Sequence, residues 1–371
     1  MNTSAKLESA LDRACRLHDR AVARRAEGQF ASAQSLARRA LKLLERTEGP
    51  RHPDVANVLN DLAGIHLERG QYAEARRRYR RSVAIMEALA AETDAGVVRV
   101  RVQSLAGLGT LCRIQGDYAG AEALLKRALV LAERQLGREH LETAGVLNQL
   151  AVLYKYQHRF ARAERLYRRA LALMEKALGP EHPDVASLYH NLGGLEHERG
   201  RCARGEPFAR RSVEIRQKAL GPDHPEVGAD MAALAALLDG QGKYAEAEQL
   251  YRRANAVCET VHGPEHYDLA VNCNNLAAIR HKQGQPAEAE RLYRRALVIK
   301  EKLLGPRHPD VAMTLNNLGM FYLSQRRFSE AGPLLRRALG IFKSRLGPKH
   351  DKFRACQENY ARLRRQKARA A

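Results

Sequence analysis

The sequence predicts an all-α solenoid of about eight helix-turn-helix units closed by a C-terminal capping helix. Three observations predict it: two kinds of turn recur at a fixed interval, small residues recur in register between them, and large side chains are scarce. The motif G-P-x-H-P-[DE] stands complete at Gly49–Asp54, Gly179–Asp184, Gly221–Glu226 and Gly305–Asp310. Degraded copies begin at Gly137, Gly263 and Gly347, and from Gly137 onward the step is 42 residues each time. A second signal, Gly-x-aromatic, falls at Gly28–Phe30, Gly70–Tyr72, Gly116–Tyr118 and Gly242–Tyr244, with degraded copies at His158–Phe160, Gly200–Cys202, Gly284–Pro286 and Arg326–Phe328. These eight turns lie 42 residues apart, except for one interval of 46 between Gly70 and Gly116. Such repetition means a stack of like units, none of which can bury its apolar face alone.

The bulk composition agrees. A chain of 371 residues would ordinarily form two or three globular domains, but a repeat array grows by addition and needs no single large core. Trp is absent, aromatics are 5% and the 45% of hydrophobic residues are dominated by Ala and Leu, which suits close helix-on-helix contact. The net charge of +21 favours acidic partners, and on charge alone nucleic acid, anionic membrane and acidic peptide all stay open. Six scattered cysteines (Cys15, Cys112, Cys202, Cys258, Cys273 and Cys356) contain no C-x-x-C pair, so a disulfide framework or zinc site is not expected and a reducing compartment fits. The N-terminal stretch carries charges every few residues without an apolar core, which excludes a signal peptide. No apolar run approaches the ~18 residues that cross a bilayer. The expected location is the cytoplasm.

In chain order the predicted units are 5–48, 49–92, 97–136, 137–178, 179–220, 221–262, 263–304 and 305–346, followed by a capping helix 351–366 and a basic tail 367–371, all within one solenoid. Each unit holds two helical stretches of about sixteen to eighteen residues. In the long turn Gly is expected in the left-handed conformation that ends a helix, and the following Pro prevents continuation. The second Pro suits the first helical position, and the acid after it meets the positive end of the helix dipole. The array departs from its rule at Ala91–Gly96, where four residues are inserted and the turn motif is lost, so a local break or hinge is expected there. Pro207 and Pro333, early in their helices, predict a late start or a kink. The capping helix keeps an apolar stripe of Phe353, Tyr360 and Leu363.

Between the turns, one small-residue column reads Ala63, Gly109, Ala151, Gly193, Ala235, Ala277, Gly319, Ala361, and a second runs from Ala33 through Ala75, Ala121, Ala163, Gly205, Ala247 and Ala289 to Ala331. A third is Ala or Ser from Ala40 to Ala338. Helices approach closely only where side chains are small, so these columns mark the crossings, with leucines such as Leu150, Leu192, Leu276 and Leu318 beside them. These columns, and units such as Leu315–Gly347, resemble the tetratricopeptide repeat. The 42-residue period and the G-P-x-H-P-D turn resemble its kinesin-light-chain-like subtype. The resemblance implies a right-handed superhelix whose inner face is built from the first helix of each unit.

At the groove-facing places of those first helices stand Asn60, Asp61, Asn148, Gln149, His190, Asn191, Asn274, Asn275, Asn316 and Asn317. Asn is a mediocre helix former, and these residues lie too far inside their helices to be caps. The resemblance implies that such amides hydrogen-bond the backbone of a bound peptide; the alternative is a ladder of amides bonding between neighbouring repeats. Unit six has Ala229, Ala232, Ala233 and Ala236 instead, which is either a smooth patch for an apolar side chain or a place where nothing binds. Paired cations recur in every second helix: Arg38–Arg39, Arg80–Arg81, Lys126–Arg127, Arg168–Arg169, Arg210–Arg211, Arg252–Arg253, Arg294–Arg295 and Arg336–Arg337. Nucleic acid is one reading of this stripe. However, Glu122, Glu164, Glu206, Glu248 and Glu290 precede the first member of five pairs by four residues, the order of a solvated ion-paired face. The histidines His140, His182, His224, His266, His308 and His350 each stand a repeat apart without a second ligand nearby, and read as turn residues rather than metal ligands. There is no nucleophile elbow, P-loop, Rossmann fingerprint or HExxH, so neither an enzyme nor a cofactor is expected. The leading reading is an adaptor holding an extended segment of a partner protein, and the net charge favours an acidic one. The alternatives are an electrostatic nucleic-acid binder and a self-associating scaffold.

Overall fold

The structure is a computed structural model that describes residues 3–348 and 350–370. Helices follow one another in pairs. They are α1 (Thr3–Ala26) and α2 (Phe30–Thr47), α3 (Pro53–Glu68) and α4 (Tyr72–Ala88), α5 (Ala95–Ile114) and α6 (Tyr118–Leu131), and α7 (Leu141–Tyr156) and α8 (Phe160–Leu178). Next come α9 (Pro183–Glu198) and α10 (Cys202–Leu220), α11 (Pro225–Asp239) and α12 (Tyr244–His262), α13 (Tyr267–Lys282) and α14 (Pro286–Leu304), and α15 (Pro309–Ser324) and α16 (Phe328–Leu346), with α17 (Asp351–Ala370) last. A π-helical turn, Ala132–Leu136, extends α6. No strand occurs among the described residues. The fold class is the α-α solenoid of helix pairs. The chain divides into two compact units, Met1–Asn191 and Leu192–Ala371. Inside each, helices pack on their sequence neighbours, and first helices also touch the next first helix, as α5 touches α7 and α11 touches α13.

The two turns differ in kind. In the short one, Gly70 has φ +69°, its N–H donates to Leu67 O and the Gln71 N–H donates to His66 O, the Schellman pattern that satisfies the last carbonyls of α3. His158 and Arg326 occupy this same position with φ +57° and +58°. In the long turn, Gly179 has φ +87° but ψ 156°, not the left-handed helical ψ expected from sequence. The reason is the next residue: Pro222, Pro180 and their equivalents exclude a helical ψ from the residue before them, and only Gly tolerates positive φ with extended ψ.

The histidine two residues before the acid then closes the turn. The N–H groups of Asp54, Asp184, Glu226, Asp268 and Asp310 donate to Nδ1 of His52, His182, His224, His266 and His308 at 3.1–3.3 Å. His140 and His350 accept in the same way from Glu142 and Lys352. Pro53, Pro225 and Pro309 open their helices where no donor is needed.

The small-residue columns are buried at the crossings. Ala33, Ala75, Ala121, Ala163, Ala247, Ala289 and Ala331 are all fully inaccessible, as are Ser82 and Ser212 in the third column. A Cβ built on Gly319 would stand 2.8 Å from Leu335 Cγ, and one on Gly109 2.9 Å from Leu125 Cγ. These approaches leave room for hydrogen only.

Three departures resolve differently from the expectation. Neither proline delays its helix: α10 starts at Cys202 and α16 at Phe328, with Pro207 and Pro333 inside and on the exposed side. The insertion at Ala91–Gly96 is stitched, not open. Arg101, buried in α5, donates through its guanidinium to the carbonyls of Leu89, Ala90 and Glu92, which satisfies the end of α4 that a Gly-Pro turn closes elsewhere. The capping helix buries Phe353 and Leu363 of its expected stripe, leaves Tyr360 half-buried and buries Cys356 as well, but helix α17 continues through Lys367 and Arg369, so most of the expected basic tail is helical. Ala371 lies outside the described residues.

Candidate partner-binding face

First helices meet their neighbours through a ladder whose step is one repeat plus one residue. Asn191 Nδ2 donates to Asn148 Oδ1 (2.9 Å), Asn317 Nδ2 to Asn274 Oδ1 (3.2 Å) and Asn359 Nδ2 to Asn316 Oδ1 (3.0 Å). The same step joins His18 to Asp61 (2.6 Å) and brings Tyr267 OH to Asp310 Oδ2 (2.7 Å). Gln149 Oε1 accepts from Thr110 Oγ1 (3.1 Å), and Asn60 Nδ2 donates to Ser104 Oγ (3.0 Å). Asn274 Nδ2 donates to Asn275 Oδ1 (3.3 Å), and Asn275 Nδ2 to Tyr251 OH (3.2 Å). His190 is half-buried beside Asn191. The ten residues singled out from sequence are therefore half-buried and most are bonded across repeats, rather than standing clear of the surface. An amide has two N–H donors and two oxygen lone pairs, so an Asn with one ladder bond keeps capacity for a ligand.

The amide rung is missing at α11, where Ala232 and Ala233 replace amides, and the same step is kept there only by Lys282 Nζ donating to Asp239 Oδ1 (2.7 Å) among the described contacts. There the surface opens into a cavity of about 460 Å³ between α11, α12 and α13, lined by Ala229, Ala232, Ala233, Ala236, Val271 and Asn275 among others. The alanine patch seen in the sequence is thus the wall of a cavity; its depth depends on α12 and α13, which the α11 sequence does not reveal. Cys258 and His262 also line it. Burial pushes the Cys258 thiol up to about 11, so it stays protonated. Burial, aided by neighbouring His266, holds His262 below the usual imidazole range.

The outer cations are largely paired within the fold. Lys126, Arg168, Arg210, Arg252 and Arg294 meet Glu122, Glu164, Glu206, Glu248 and Glu290 at 2.7–3.1 Å, the spacing read from sequence. The second member reaches back to the preceding second helix: Arg81 to Glu45 (2.6 Å), Arg127 to Glu87 (2.9 Å), Arg169 to Glu133 (2.7 Å), Arg337 to Glu301 (2.5 Å), and Arg295 to Glu259. The glutamates also reach forward. Glu206 accepts from Lys243 (2.7 Å) and Gln241 (2.8 Å) of the next turn, and these bonds, Lys243 first, pull its carboxyl down to about 2. None of the described helices is long and apolar enough to cross a membrane. Among the described residues no three His, Cys, Asp or Glu side chains gather as metal ligands.

Paired helices, crossings of small residues and a ladder between first helices define a helical-repeat interaction protein. The tetratricopeptide-repeat pattern matches residues 12–88, 101–176, 142–204, 184–260, 241–302 and 267–344, and the chain belongs to the tetratricopeptide-repeat family. No curated protein matches the sequence. Among solved structures, a Rap protein complexed with competence and sporulation factor is similar at 14% identity with a TM-score of 0.57, over 99% of this chain and 100% of that one. A signal-transduction ATPase with numerous domains and a tetratricopeptide-repeat sensor, from Pyrococcus horikoshii, is similar at 14% identity and TM-score 0.61, over 92% of this chain and 50% of that one. A kinesin light chain from Podosopora anserina with nearly identical repeats is 25% identical over 56% of this chain and 98% of that one, with a TM-score of 0.47.

Proposed function

We propose that the chain is an adaptor that binds an extended segment of a partner protein along the faces of its first helices, in the manner the kinesin-light-chain-like repeat period implies. The observation that carries this reading is the row of amides on α13, α15 and α17 beside the cavity at α11: Asn274, Asn275, Asn316, Asn317 and Asn359 lie half-buried, with hydrogen-bonding capacity left over from the ladder. An extended segment presents alternating N–H and C=O groups, which such amides match as both donor and acceptor. On the first-helix face of the other compact unit, Asn148, Gln149, His190 and Asn191 have the same place. The family consists broadly of protein-interaction scaffolds, and a Rap protein of like fold is complexed with a separate factor. The nucleic-acid reading has less support, since most of the outer cations already face carboxylates.

The test exploits the ladder. Removing both partners of a hydrogen bond leaves no buried group unsatisfied and costs little stability. The variant Asn274→Ala, Asn316→Ala, Asn317→Ala, Asn359→Ala deletes two whole rungs and should keep its helices, Ala being the better helix former. Peptides retained by the full-length chain on a random nonapeptide array should bind this variant at least tenfold more weakly by fluorescence anisotropy, each lost bond removing about 0.5–1.5 kcal/mol. Unchanged affinity in a folded variant would refute groove binding.

A further inference from the structure

Building on that reading, we infer that the cavity at α11–α13 takes a large apolar side chain of the bound segment, and that the residue beside it in that segment is a lysine or arginine. The volume of about 460 Å³ falls within the ordinary range for a ligand pocket. Its wall is made by truncation: Ala229, Ala232 and Ala233 stand where the next repeat has Val271, Asn274 and Asn275. That exchange removes the ladder rung and leaves methyl groups facing Val271 and the protonated Cys258. Methyl walls offer an occupant no hydrogen bond, so what they select is apolar surface.

Charge then selects the neighbour. Two carboxylates, Glu226 and Asp268, line the cavity, their side chains 56% and 63% exposed, and among the described lining residues none is Lys or Arg. Glu226 touches the buried Arg216 (3.2 Å), which bonds more closely to the fully buried Asp230 (2.8 Å). Two carboxylates therefore share one guanidinium, and Asp268 stands 3.7 Å from His266 Nδ1, on a chain whose overall charge is +21. An acidic segment, which the net charge favours, meets repulsion at this place, while a cationic residue next to the inserted side chain meets two carboxylates on the rim. Opposed charges of this kind set specificity and orientation more than affinity.

The test is a positional nonapeptide library on the full-length chain, with Leu, Phe, Ala or Asn fixed at the centre and Arg or Glu fixed at the neighbouring position. The wild type should retain Leu- and Phe-centred, Arg-flanked peptides at least tenfold over Ala-centred ones. The variant Ala232→Asn, Ala233→Asn copies residues the repeat already carries in α13, and it should lose the centre preference. Ala229→Leu, at an exposed rim position, fills the cavity from another side and should do the same. Glu226→Gln with Asp268→Asn should keep the centre preference and lose the choice of Arg over Glu. A preference for Glu-flanked peptides, or a centre preference indifferent to both filling variants, would overturn the proposal. Peptides retained without any centre preference, yet lost on removal of the ladder rungs, would leave groove binding standing and remove the cavity from it. Retention of no peptide at all would remove both.

Discussion

Histidine is not among the usual helix caps, yet seven of them cap helices in this chain through Nδ1. Their period was legible in the sequence, and so was their place in a turn; their role was not, because it depends on the rotamer that brings Nδ1 to the N–H two residues on. The short turns show the converse. Gly suits the positive φ of that position, yet Arg326 adopts φ +58° there. A non-Gly residue in that region costs about 1–2 kcal/mol, part of which Gly returns through its greater freedom in the unfolded chain. Arg326→Gly should therefore raise the urea midpoint by the equivalent of ~0.5–1 kcal/mol, and a lowered midpoint would show that Arg326 makes an interaction worth more than the strain. Glu206 gives a second prediction at this scale. Its carboxyl stays ionised down to about 2 in the fold, while in the unfolded chain it takes up a proton near ~4.3. The unfolded state binds more protons between those values, so the contribution is complete above the ordinary carboxylate range and is lost as the pH falls through it towards 2. Glu206→Gln should lose less melting temperature than the wild type between pH 5 and pH 3; parallel profiles would mean that the contacts to Lys243 and Gln241 do not persist in solution.

At the scale of helices, the sequence reading was most complete where packing is repetitive. Every crossing in the second column falls on a buried Ala or Gly, because a close approach leaves no alternative. What single columns did not show is the pairing of sizes across a crossing. Ala235 and Ala277 accompany Tyr251 and Tyr293, while Gly109 and Gly319 accompany Leu125 and Leu335, whose branched carbon leaves no room for a Cβ. Gly319→Ala should accordingly cost ~1–3 kcal/mol despite the better helix propensity of Ala, as overfilled contacts do. A stabilised variant would show that Leu335 yields easily. The insertion between α4 and α5 was legible as a lost turn but not as a closed one, since nothing in the sequence distinguishes Arg101 from the many arginines that face solvent. Its three carbonyl contacts predict that Arg101→Ala frees the segment 89–94. Limited digestion with chymotrypsin, after Leu89, or with a protease of broad specificity should cut that variant there several-fold faster than the wild type, and equal rates would leave the guanidinium without a structural role.

Over the whole molecule, the strongest number in the sequence, a charge of +21, is a weak guide to function, because the most regular cations, the recurring pairs of the second helices, mostly face carboxylates. In five of the eight recurring pairs the first member was legible as an i,i+4 partner of glutamate; the second members that reach back one repeat to Glu45, Glu87, Glu133, Glu259 and Glu301 needed the stacking of second helices to be seen. The amides of the first helices were found as a column that left a bound peptide and a ladder between repeats both open, and the ladder bonds became visible only once α13 stood beside α15. These two faces make opposite predictions. Changing Arg252, Arg253, Arg294 and Arg295 to Gln removes exposed ion pairs worth about 0–1 kcal/mol each, so the melting curve should shift little. With groove binding, the variant should bind an array-selected peptide with a dissociation rate within about twofold of the wild type, any change falling on the association rate and its salt dependence. Retention of a duplex DNA should vanish in both proteins as salt rises, since attraction that rests on the net charge of +21 and not on a built site is lost with counterion screening. DNA binding that survives ~0.2 M salt in the wild type and disappears in the Arg variant, with peptide binding untouched by removal of the amide rungs, would transfer function from the first-helix face to the outer one.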